Sequence, residues 1–367
     1  MDIMGKIKRT LLWHTLRKIK RTFVKREIKK YDGKPLTPLI RHEIQEIIKK
    51  NKAIYLHDEK TAKNLADNWQ DTLDPPGNIR FIENAIPVVL CANNDFAPYV
   101  AVMLQSLLDN SSTERKYHFM IFERDYSSQT REYLTNQVSK FSHCYIDFIN
   151  TKNALDKIPI SLSKSHFTID IFSRFLIPYW LNKYPKVIYC DSDMFAKTDI
   201  AELYNIDIQN YCMGISISNL INEILHSRKY SSLISGAVFS ILENWSRYIN
   251  SGVLVFDTKK FIKKISLQEL FRFTIYYTNR YKKTYDDQDV LSLVIKDDYF
   301  ILPREWNYSW SSCKNEKNLF KQTEANTKII HFTGKVKPWD NLPEIASNPD
   351  ALAYKNYAKN IPLFNER

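Results

Sequence analysis

Glycine is scarce in this chain of 367 residues. The seven glycines are so far apart that neither G-x-G-x-x-G nor G-x-x-x-x-G-K occurs. Both motifs form nucleotide sites in which backbone amides surround the phosphates. Their absence argues against a site of that kind, so another group would have to neutralise any diphosphate that the chain binds.

Cysteine and long apolar runs are scarce as well. The five cysteines are scattered and form no C-x-x-C pair, which argues against a zinc ribbon and favours a reducing, cytosolic compartment. No run of 18 apolar residues occurs, so the sequence predicts no transmembrane helix. The basic N-terminus lacks the apolar segment of a signal peptide. The hydrophobic fraction of 44% is enough for one large α/β domain or two smaller ones.

Positive charge is concentrated near the N-terminus. The formal net charge is +12, and residues 6–30 contain eleven Lys or Arg, with Glu27 as the single acid among them. Apolar side chains recur there at helical spacing: Leu12, Leu16, Ile19 and Phe23, with Trp13 nearby. This pattern predicts a basic amphipathic helix, which either docks on its own domain or lies on an anionic membrane surface.

Basic amphipathic helices also bind protein partners or nucleic acid. A nucleic-acid binder would spread its cations over one face with aromatic residues interleaved. Because the cations concentrate in one terminal helix instead, we expect no nucleic-acid partner.

Strand and helix patterns alternate in the middle of the chain. Residues 36–80 have a helical pattern that ends in the breaker cluster "DTLDPPGN", and folded α/β sequence begins near Ile86. The apolar runs "IPVVLCA", "KYHFMIFERD" and "HCYIDFI" predict strands, separated by helices at "PYVAVMLQSLLDN" and around residues 131–140. This alternation predicts a mostly parallel sheet with helices on both faces. We divide the chain into a basic helical extension (1–80), a main domain (81–345) and a C-terminal tail (346–367).

Two of the predicted strands end in polar residues. One strand runs into Asn93-Asn94-Asp95, and another runs into Asp191-Ser192-Asp193. Ligands of parallel sheets lie at the carboxyl ends of the strands, so both groups should line one edge. Two carboxylates at that edge predict a site for Mg²⁺ or Mn²⁺, which share their ligands between protein and substrate phosphates. Taken alone, a D-x-D pair is equally typical of a solvated turn.

Three further stretches contain candidate functional residues. Asn250-Ser251-Gly252 opens directly into a strand, and residues 286–289 (Asp-Asp-Gln-Asp) precede an apolar helix, where the helix dipole favours acids in any case. In the third stretch a strand ends at His331 and is followed by Gly334 and Lys337. A single histidine is commonly a core residue, but these neighbours and the two aspartates favour His331 as a ligand.

Taken in order, these segments resemble glycosyltransferase family 8, whose members are retaining enzymes of the GT-A fold. The resemblance extends from about Ile86 to about Trp339 and implies a Rossmann-like, mostly parallel sheet flanked by helices, to which the basic N-terminal region is added. The stretches that carry it are "VVLCANNDFAPYVAVMLQSLL", "FSRFLIPYWL", "KVIYCDSDM", "NSGVLVFDTKKF", "DQDVL", "LPREWNY" and "IIHFTGKVKPW".

The resemblance implies a role for each matching residue. The implied metal ligands are Asp191, Asp193 and His331. The implied catalytic residues are Gln288, Asp287 and Lys337. The implied donor-binding residues are Asn93, Asp95, Arg174, Asp191, Ser192, Asn250, Ser251, Gly334 and Lys337. At Asn93 the family often has an aspartate that accepts a hydrogen bond from uracil. The asparagine side chain either still accepts this bond or alters the preferred base.

The resemblance further implies that the chain, with Mn²⁺ or Mg²⁺, transfers glucose or galactose from a UDP-sugar to a glycan acceptor, such as lipopolysaccharide or another cell-surface glycan. The acceptor would enter on the leaving-group side, while Gln288 stabilises positive charge and Asp287 orients the sugar. The expected location is the cytoplasm, peripheral to the membrane if residues 6–30 bind anionic lipid. Loops such as 216–240 would select the acceptor. The sequence alone does not decide the donor sugar, the acceptor or the oligomeric state.

Two other functions compete with transfer. The first is an inactive sugar-nucleotide fold that serves as a scaffold and binds nucleic acid or membrane through its basic helix. The second is a nucleotidyltransferase, which also uses paired carboxylates and a metal but leaves "HFTGKVKPW" unexplained.

Overall fold

A computed structural model describes the chain over residues 24–35, 37–50, 59–160, 168–218, 247–281, 287–310 and 323–364. Within these ranges a seven-stranded sheet has the strand order β3-β2-β1-β4-β7-β6-β8, and a three-stranded sheet has the order β5-β10-β9. The strands are β1 (Ala85–Ala92), β2 (Lys116–Glu123), β3 (Cys144–Asn150), β4 (Lys186–Cys190), β5 (Met194–Ala196), β6 (Met213–Ile217), β7 (Ile249–Asp257), β8 (Phe300–Ile301), β9 (Tyr308–Ser309) and β10 (Ile329–His331).

The large sheet is mostly parallel, as the sequence predicts. Strand β1 pairs in parallel with β2 and β4, and β2 pairs in parallel with β3. These strands are apolar along most of their length because helices cover both faces of the sheet. Strand β7 is the exception, since it runs antiparallel to both β4 and β6.

The reversal of β7 has a direct consequence for the carboxyl edge of the sheet. Because β7 runs opposite to β4, its first residues lie beside the last residues of β4, and Cys190 is paired with Val253. Asn250 and Ser251 therefore lie at the edge where Asp191 follows β4. The backbone N–H of Asp191 donates to the carbonyl of Gly252 at 2.8 Å.

The helices cover the two faces of the sheet. Polar N-caps start several of them: the Ser127 hydroxyl accepts from the Thr130 amide, and Ser266 and Glu269 form a capping box. The α-helices are Pro38–Lys50, Glu59–Asn68, Ala97–Asp109, Ser128–Val138, Lys152–Leu155, Ile177–Trp180, Ala201–Tyr204, Thr258–Lys264, Leu267–Arg280, Asp287–Ile295 and Pro349–Ala358. Short 3₁₀ helices are Asn94–Phe96, Ile169–Phe175, Arg304–Asn307, Pro343–Ile345 and Pro362–Phe364.

Segments on either side of the predicted main domain pack into its hydrophobic clusters. Trp69 contacts Phe271 with ring centroids 6.1 Å apart, and the indole N–H of Trp180 donates to the Leu73 carbonyl at 2.7 Å. At the other end, Tyr354 of the last α-helix is fully buried among residues that also pack on β1. The three-part division of the chain stays a prediction, and these contacts show that parts of both flanking segments belong to the core.

The predicted basic helix falls largely outside the described residues, which begin at residue 24. Residues 24–29 are helical, and Val24 and Ile28 have no exposed surface, so protein covers the apolar side of this end. Binding of residues 6–30 to a membrane stays a prediction. Among the described helices, none combines the length and the apolar character that a membrane crossing requires.

Candidate active site

The carboxyl edge of the sheet brings together the three predicted metal ligands. Asp191 and Asp193 follow β4, while His331 ends β10, which pairs with β5 and so places His331 opposite Met194. His331 Nε2 lies 3.4 Å from Asp193 Oδ1 and 3.7 Å from Asp191 Oδ2. One ligand atom from each residue lies within 4.8 Å of the other two, so the three residues could hold one cation.

Gly252 makes room for the His331 ring. A Cβ atom built on Gly252 would lie 2.4 Å from His331 Cε1, 2.6 Å from Nδ1 and 2.7 Å from Met194 Cε. Real Cβ atoms do not approach other atoms so closely, and the crowded partner is a buried ring. Glycine is therefore required here so that the imidazole can lie against the β7 backbone.

The other ring nitrogen of His331 contacts a side chain that the sequence analysis leaves without a role. Nδ1 lies 2.9 Å from Asn307 Oδ1, and Asn307 Nδ2 donates to Asn250 Oδ1 at 2.8 Å. Asn307 is buried and belongs to the "LPREWNY" stretch. Its signal in the sequence is a polar residue between the aromatic Trp306 and Tyr308.

Arg174 is buried between the predicted metal ligands and the helix that begins at Asp287. Its guanidinium lies 3.0 Å from Asp191 Oδ1 and 3.0 Å from Asp287 Oδ2, donates to the Ser251 carbonyl at 2.9 Å, and stacks over the Tyr189 ring. Burial alone would lower the pKa of Arg174, but the two carboxylates raise it above its ordinary value. Arg174 is thus a permanent cation that joins Asp191 to Asp287.

Asp287 and Gln288 lie at the first turn of their helix, beside Ser251. Gln288 Oε1 accepts from the Ser251 amide at 3.2 Å, which joins this helix to the start of β7. The third acid of the stretch has a structural role, because Asp289 is fully buried and accepts hydrogen bonds from the hydroxyls of Tyr248 and Tyr277. Residue 286 lies outside the described ranges.

Lys337, in the loop after β10, contacts Asp193, one of the predicted metal ligands. Its ammonium donates to Asp193 Oδ2 at 2.7 Å and to the Phe332 carbonyl at 2.6 Å. Burial would raise the pKa of Asp193, but the charge of Lys337 holds it far below its ordinary value. Asp193 is therefore ionised, and Lys337 lies close enough to act on any group bound beside it.

The remaining predicted donor-binding residues lie around this centre. Asn93 directly follows β1 and caps the next 3₁₀ turn by accepting from the Phe96 amide at 3.2 Å. Asp95 is exposed, as is Phe96 at 41% of its surface. Ser192 is buried between the two aspartates. Gly334 has φ +88°, a conformation that favours glycine.

Aromatic side chains that no sequence motif predicts to be neighbours lie beside Lys337, whose ammonium is 5.8 Å from the centre of the Trp339 ring. Trp339 stacks on Tyr99 with ring centroids 4.1 Å apart, and Phe96 lies 5.6 Å from Tyr99. Aromatic residues are frequent throughout this sequence, so only the contact between distant segments reveals this arrangement. Most of the predicted acceptor loop 216–240 lies outside the described residues.

The residues present suit a hard divalent cation. Two carboxylates and one imidazole form a donor set that accommodates Mn²⁺ or Mg²⁺, with room in the shell for substrate oxygens. Moreover, His331 Nδ1 faces an acceptor, Asn307 Oδ1, so the neutral ring carries its proton there and its Nε2 lone pair faces two carboxylate oxygens. With the ring neutral, a cation between these three acceptors would stabilise the arrangement.

Comparison with known proteins identifies the family. The model of "Glycosyl transferase family 8" matches residues 87–342. The chain belongs to glycosyltransferase family 8. The resemblance drawn from the sequence motifs is thereby confirmed, and this family 8 protein is a glycosyltransferase.

Curated relatives of this family 8 protein are distant in sequence. General stress protein A of Bacillus subtilis (strain 168) is 23% identical over 282 residues, which cover 74% of this chain and 93% of that protein. A lipopolysaccharide 1,2-glucosyltransferase of Escherichia coli (strain K12) is 29% identical over 182 residues, which cover 48% of this chain and 50% of that one.

Solved structures establish the fold of this family 8 chain. Galactosyltransferase LgtC, crystallised with donor and acceptor sugar analogs, superposes with a TM-score of 0.57 at 17% identity and covers 75% of this chain and 96% of its own. An active-site mutant of LgtC gives a TM-score of 0.59. The predicted GT-A fold is confirmed.

Proposed function

We propose that this glycosyltransferase transfers a hexose from a UDP-sugar to a glycan acceptor with retention of configuration, in a reaction that requires Mn²⁺ or Mg²⁺. One observation carries the proposal: Asp191, Asp193 and His331 converge to within 4.8 Å at the carboxyl edge of the sheet. Family membership makes transfer of a sugar the expected reaction, and this cluster is where the donor diphosphate would be held.

The charges around the cluster support the need for a divalent cation. Three carboxylates (Asp191, Asp193 and Asp287) face two cations, Arg174 and Lys337. A nucleoside diphosphate adds further negative charge, which this surplus of carboxylates would repel. A divalent ion on Asp191, Asp193 and His331 would reverse the balance and neutralise charge on the leaving diphosphate.

The protein groups would act on the two ends of the bond that breaks. As the bond between the anomeric carbon and the diphosphate oxygen breaks, the electron pair leaves with UDP, and Lys337 would stabilise that charge. The acceptor hydroxyl would bond to the anomeric carbon from the same face and give its proton to the departing phosphate oxygen. Gln288, held by the Ser251 amide, would place its dipole beside the developing positive charge, while Asp287, fixed by Arg174, would orient the sugar.

Donor and acceptor are assigned at the level of chemical class. As the family resemblance implies, Asn93 and the neighbouring Asp95 would contact the base of the donor. Asn250 and Ser251 would contact its sugar. A surface glycan such as lipopolysaccharide is the proposed acceptor, because the Escherichia coli relative carries that activity in its name. Cytoplasmic synthesis of such a glycan is compatible with membrane binding through residues 6–30.

The test is calorimetric titration of UDP with and without Mn²⁺, followed by UDP-glucose and UDP-galactose while slow hydrolysis is monitored. We expect UDP to bind only with the metal, and one of the two donors to be hydrolysed.

The variant Asp193→Ala should lose metal-dependent binding and turnover, because it removes a ligand and the partner of Lys337. The matched control is Asp207→Ala, which removes an exposed carboxylate remote from these ligands in sequence. UDP binding that is indifferent to metal, or full turnover by Asp193→Ala, would refute the metal site. A wild type that hydrolyses neither donor and does not bind UDP would favour an inactive scaffold.

A further inference from the structure

Three hydrogen bonds connect a backbone amide of β7 to the candidate metal ligand His331. The Gly252 N–H donates to Asn250 Oδ1 at 2.9 Å, Asn307 Nδ2 donates to the same oxygen at 2.8 Å, and Asn307 Oδ1 lies 2.9 Å from His331 Nδ1. We call this set of contacts the amide relay. It joins β7, the turn before β9 and the end of β10.

The donor and acceptor of each hydrogen bond in the amide relay are fixed, because the relay starts at a backbone N–H, whose role cannot be exchanged. A backbone N–H is only ever a donor, so the Asn250 atom that it meets must be the oxygen. The Asn307 atom that faces this oxygen must then be the donor Nδ2, which turns Asn307 Oδ1 towards His331. An acceptor at Nδ1 requires a proton on Nδ1, so the neutral ring carries none on Nε2.

We propose that Asn307 is a positioning residue that holds His331 in the Nδ1–H tautomer and thereby presents the Nε2 lone pair to the metal. The consequence for binding rests on the proposed function, whereas the tautomer itself is a property of the metal-free chain. Imidazole binds a metal only through an unprotonated nitrogen, and the bond made by the second nitrogen selects which one that is.

Gly252 contributes twice to this arrangement. Its N–H is the fixed donor at the start of the amide relay, and its missing side chain leaves space for His331 Cε1. Contact with the β7 backbone therefore fixes the orientation of the His331 ring, and Asn307 fixes which of its nitrogens carries the proton. Without Asn307, both tautomers would be populated, and the fraction with Nε2 protonated could not bind the ion.

The experiment has a readout that needs no metal. In protein labelled with ¹⁵N-histidine, long-range ¹H–¹⁵N spectra distinguish the two tautomers, and His331→Gln identifies the His331 signals among the eight histidines. We expect His331 to show the Nδ1–H pattern in the metal-free wild type and a mixture in Asn307→Leu. A wild-type His331 with its proton on Nε2 would overturn the inference.

Metal affinity is the second readout. Asn307→Leu should weaken Mn²⁺ binding by roughly 10- to 100-fold, the usual cost of losing a group that orients a metal ligand. The control is Asn136→Leu, at an exposed asparagine of the helix Ser128–Val138, which should leave the tautomer and the Mn²⁺ affinity near wild type. Asn250→Leu should weaken binding in the same direction as Asn307→Leu, and it keeps the test decisive if Asn307→Leu fails to fold.

The outcomes separate this inference from the proposed function. A wild type that shows the Nδ1–H tautomer but binds no Mn²⁺ would refute the metal site while supporting the amide relay. Unchanged Mn²⁺ affinity in both Asn307→Leu and Asn250→Leu, in a wild type that binds the ion, would refute the positioning role alone.

Discussion

Two buried histidines of this protein each face aspartate, yet their surroundings differ in one decisive respect. His118, in the middle of β2, has Nε2 2.7 Å from Asp147 Oδ2 and Nδ1 2.7 Å from the Tyr184 hydroxyl. That hydroxyl accepts from the Ile82 amide at 2.8 Å, so it donates its own proton to Nδ1. Both nitrogens of His118 are thus satisfied within the protein, with the proton on Nε2.

His331 has the opposite arrangement. Its Nδ1 is occupied by Asn307, while Nε2 faces Asp191 and Asp193, neither of which can donate. The comparison shows that an aspartate neighbour alone does not make a histidine a candidate metal ligand. His331 differs from His118 because the protein directs its Nε2 lone pair at other acceptors, at an edge of the sheet where a substrate can enter.

The largest effect expected from this comparison is that of His331→Ala. Loss of the imidazole should abolish saturable Mn²⁺ binding and metal-dependent turnover, because two carboxylates and Lys337 remain without the nitrogen ligand. Thermal stability should fall modestly, because the buried Asn307 Oδ1 loses its hydrogen-bond partner. Calorimetry and a melting curve measure both. If His331→Ala retained the Mn²⁺ affinity of the wild type, His331 would not be a metal ligand and would not differ from His118 in that respect.

The reciprocal substitution, His118→Ala, should lower stability instead. It leaves the proton of the buried Tyr184 hydroxyl without an acceptor and removes one of the hydrogen bonds to Asp147, at a cost of about 1–3 kcal/mol. Denaturant unfolding measures the loss. Mn²⁺ affinity of the folded variant should match the wild type, and a variant with normal stability and weakened metal binding would contradict the structural role of His118.

A smaller effect is expected when His331 is displaced rather than removed. Gly252→Ala introduces a Cβ 2.4 Å from His331 Cε1, so the ring must move and Mn²⁺ affinity should fall by roughly 10- to 100-fold. Gly214→Ala on neighbouring β6 is the control, because its Cβ meets Ile208 and Leu302 at 3.0–3.1 Å and crowds the core instead. Equal losses of Mn²⁺ affinity in both variants would show a general effect of packing.

The smallest expected effect is a pH dependence of stability, which comes from the contact between His118 and Asp147. Burial would raise the pKa of Asp147, but hydrogen bonds from His118 and Arg80 lower it below its ordinary value. Ionised Asp147 therefore stabilises the fold at pH values above its unfolded pKa, about 3.9. That stabilisation disappears as the pH falls through the lower folded pKa. The stability difference between wild type and Asp147→Asn, measured by urea unfolding, should narrow below about pH 4. A difference independent of pH would show that the charge of Asp147 contributes nothing.

Much of the fold followed from local patterns. Alternating apolar strands and amphipathic helices are short-range features, so "IPVVLCA" and "KYHFMIFERD" predicted β1 and β2, and the mostly parallel sheet followed from their alternation with helices. The contribution of residues 59–73 to the core was not foreseen. Trp69 and Leu73 have no periodic pattern, and their burial depends on Phe271 and Trp180, which are distant in the chain.

The candidate site was predictable in its residue types and unpredictable in its connections. Asp191, Asp193 and His331 were expected because carboxylates at a strand end and a histidine beside glycine suit a hard cation, and the structure brings them together. The roles assigned to Gln288, Asp287 and the donor-binding residues stay predictions. Asn307 had no assigned role, since a polar residue between two aromatic residues marks the position but does not identify its partners, which come from other segments.

The sequence by itself therefore determined the order of the elements, the family, and which side chains could bind a cation, because periodicity and motif order are written along the chain. Only the tertiary structure decided that Arg174 joins Asp191 to Asp287, that Gly252 makes room for His331, and which nitrogen of that ring is directed at the carboxylates. The physical reason is that a hydrogen bond is defined by its partner, and these partners come from segments that meet only when the sheet forms.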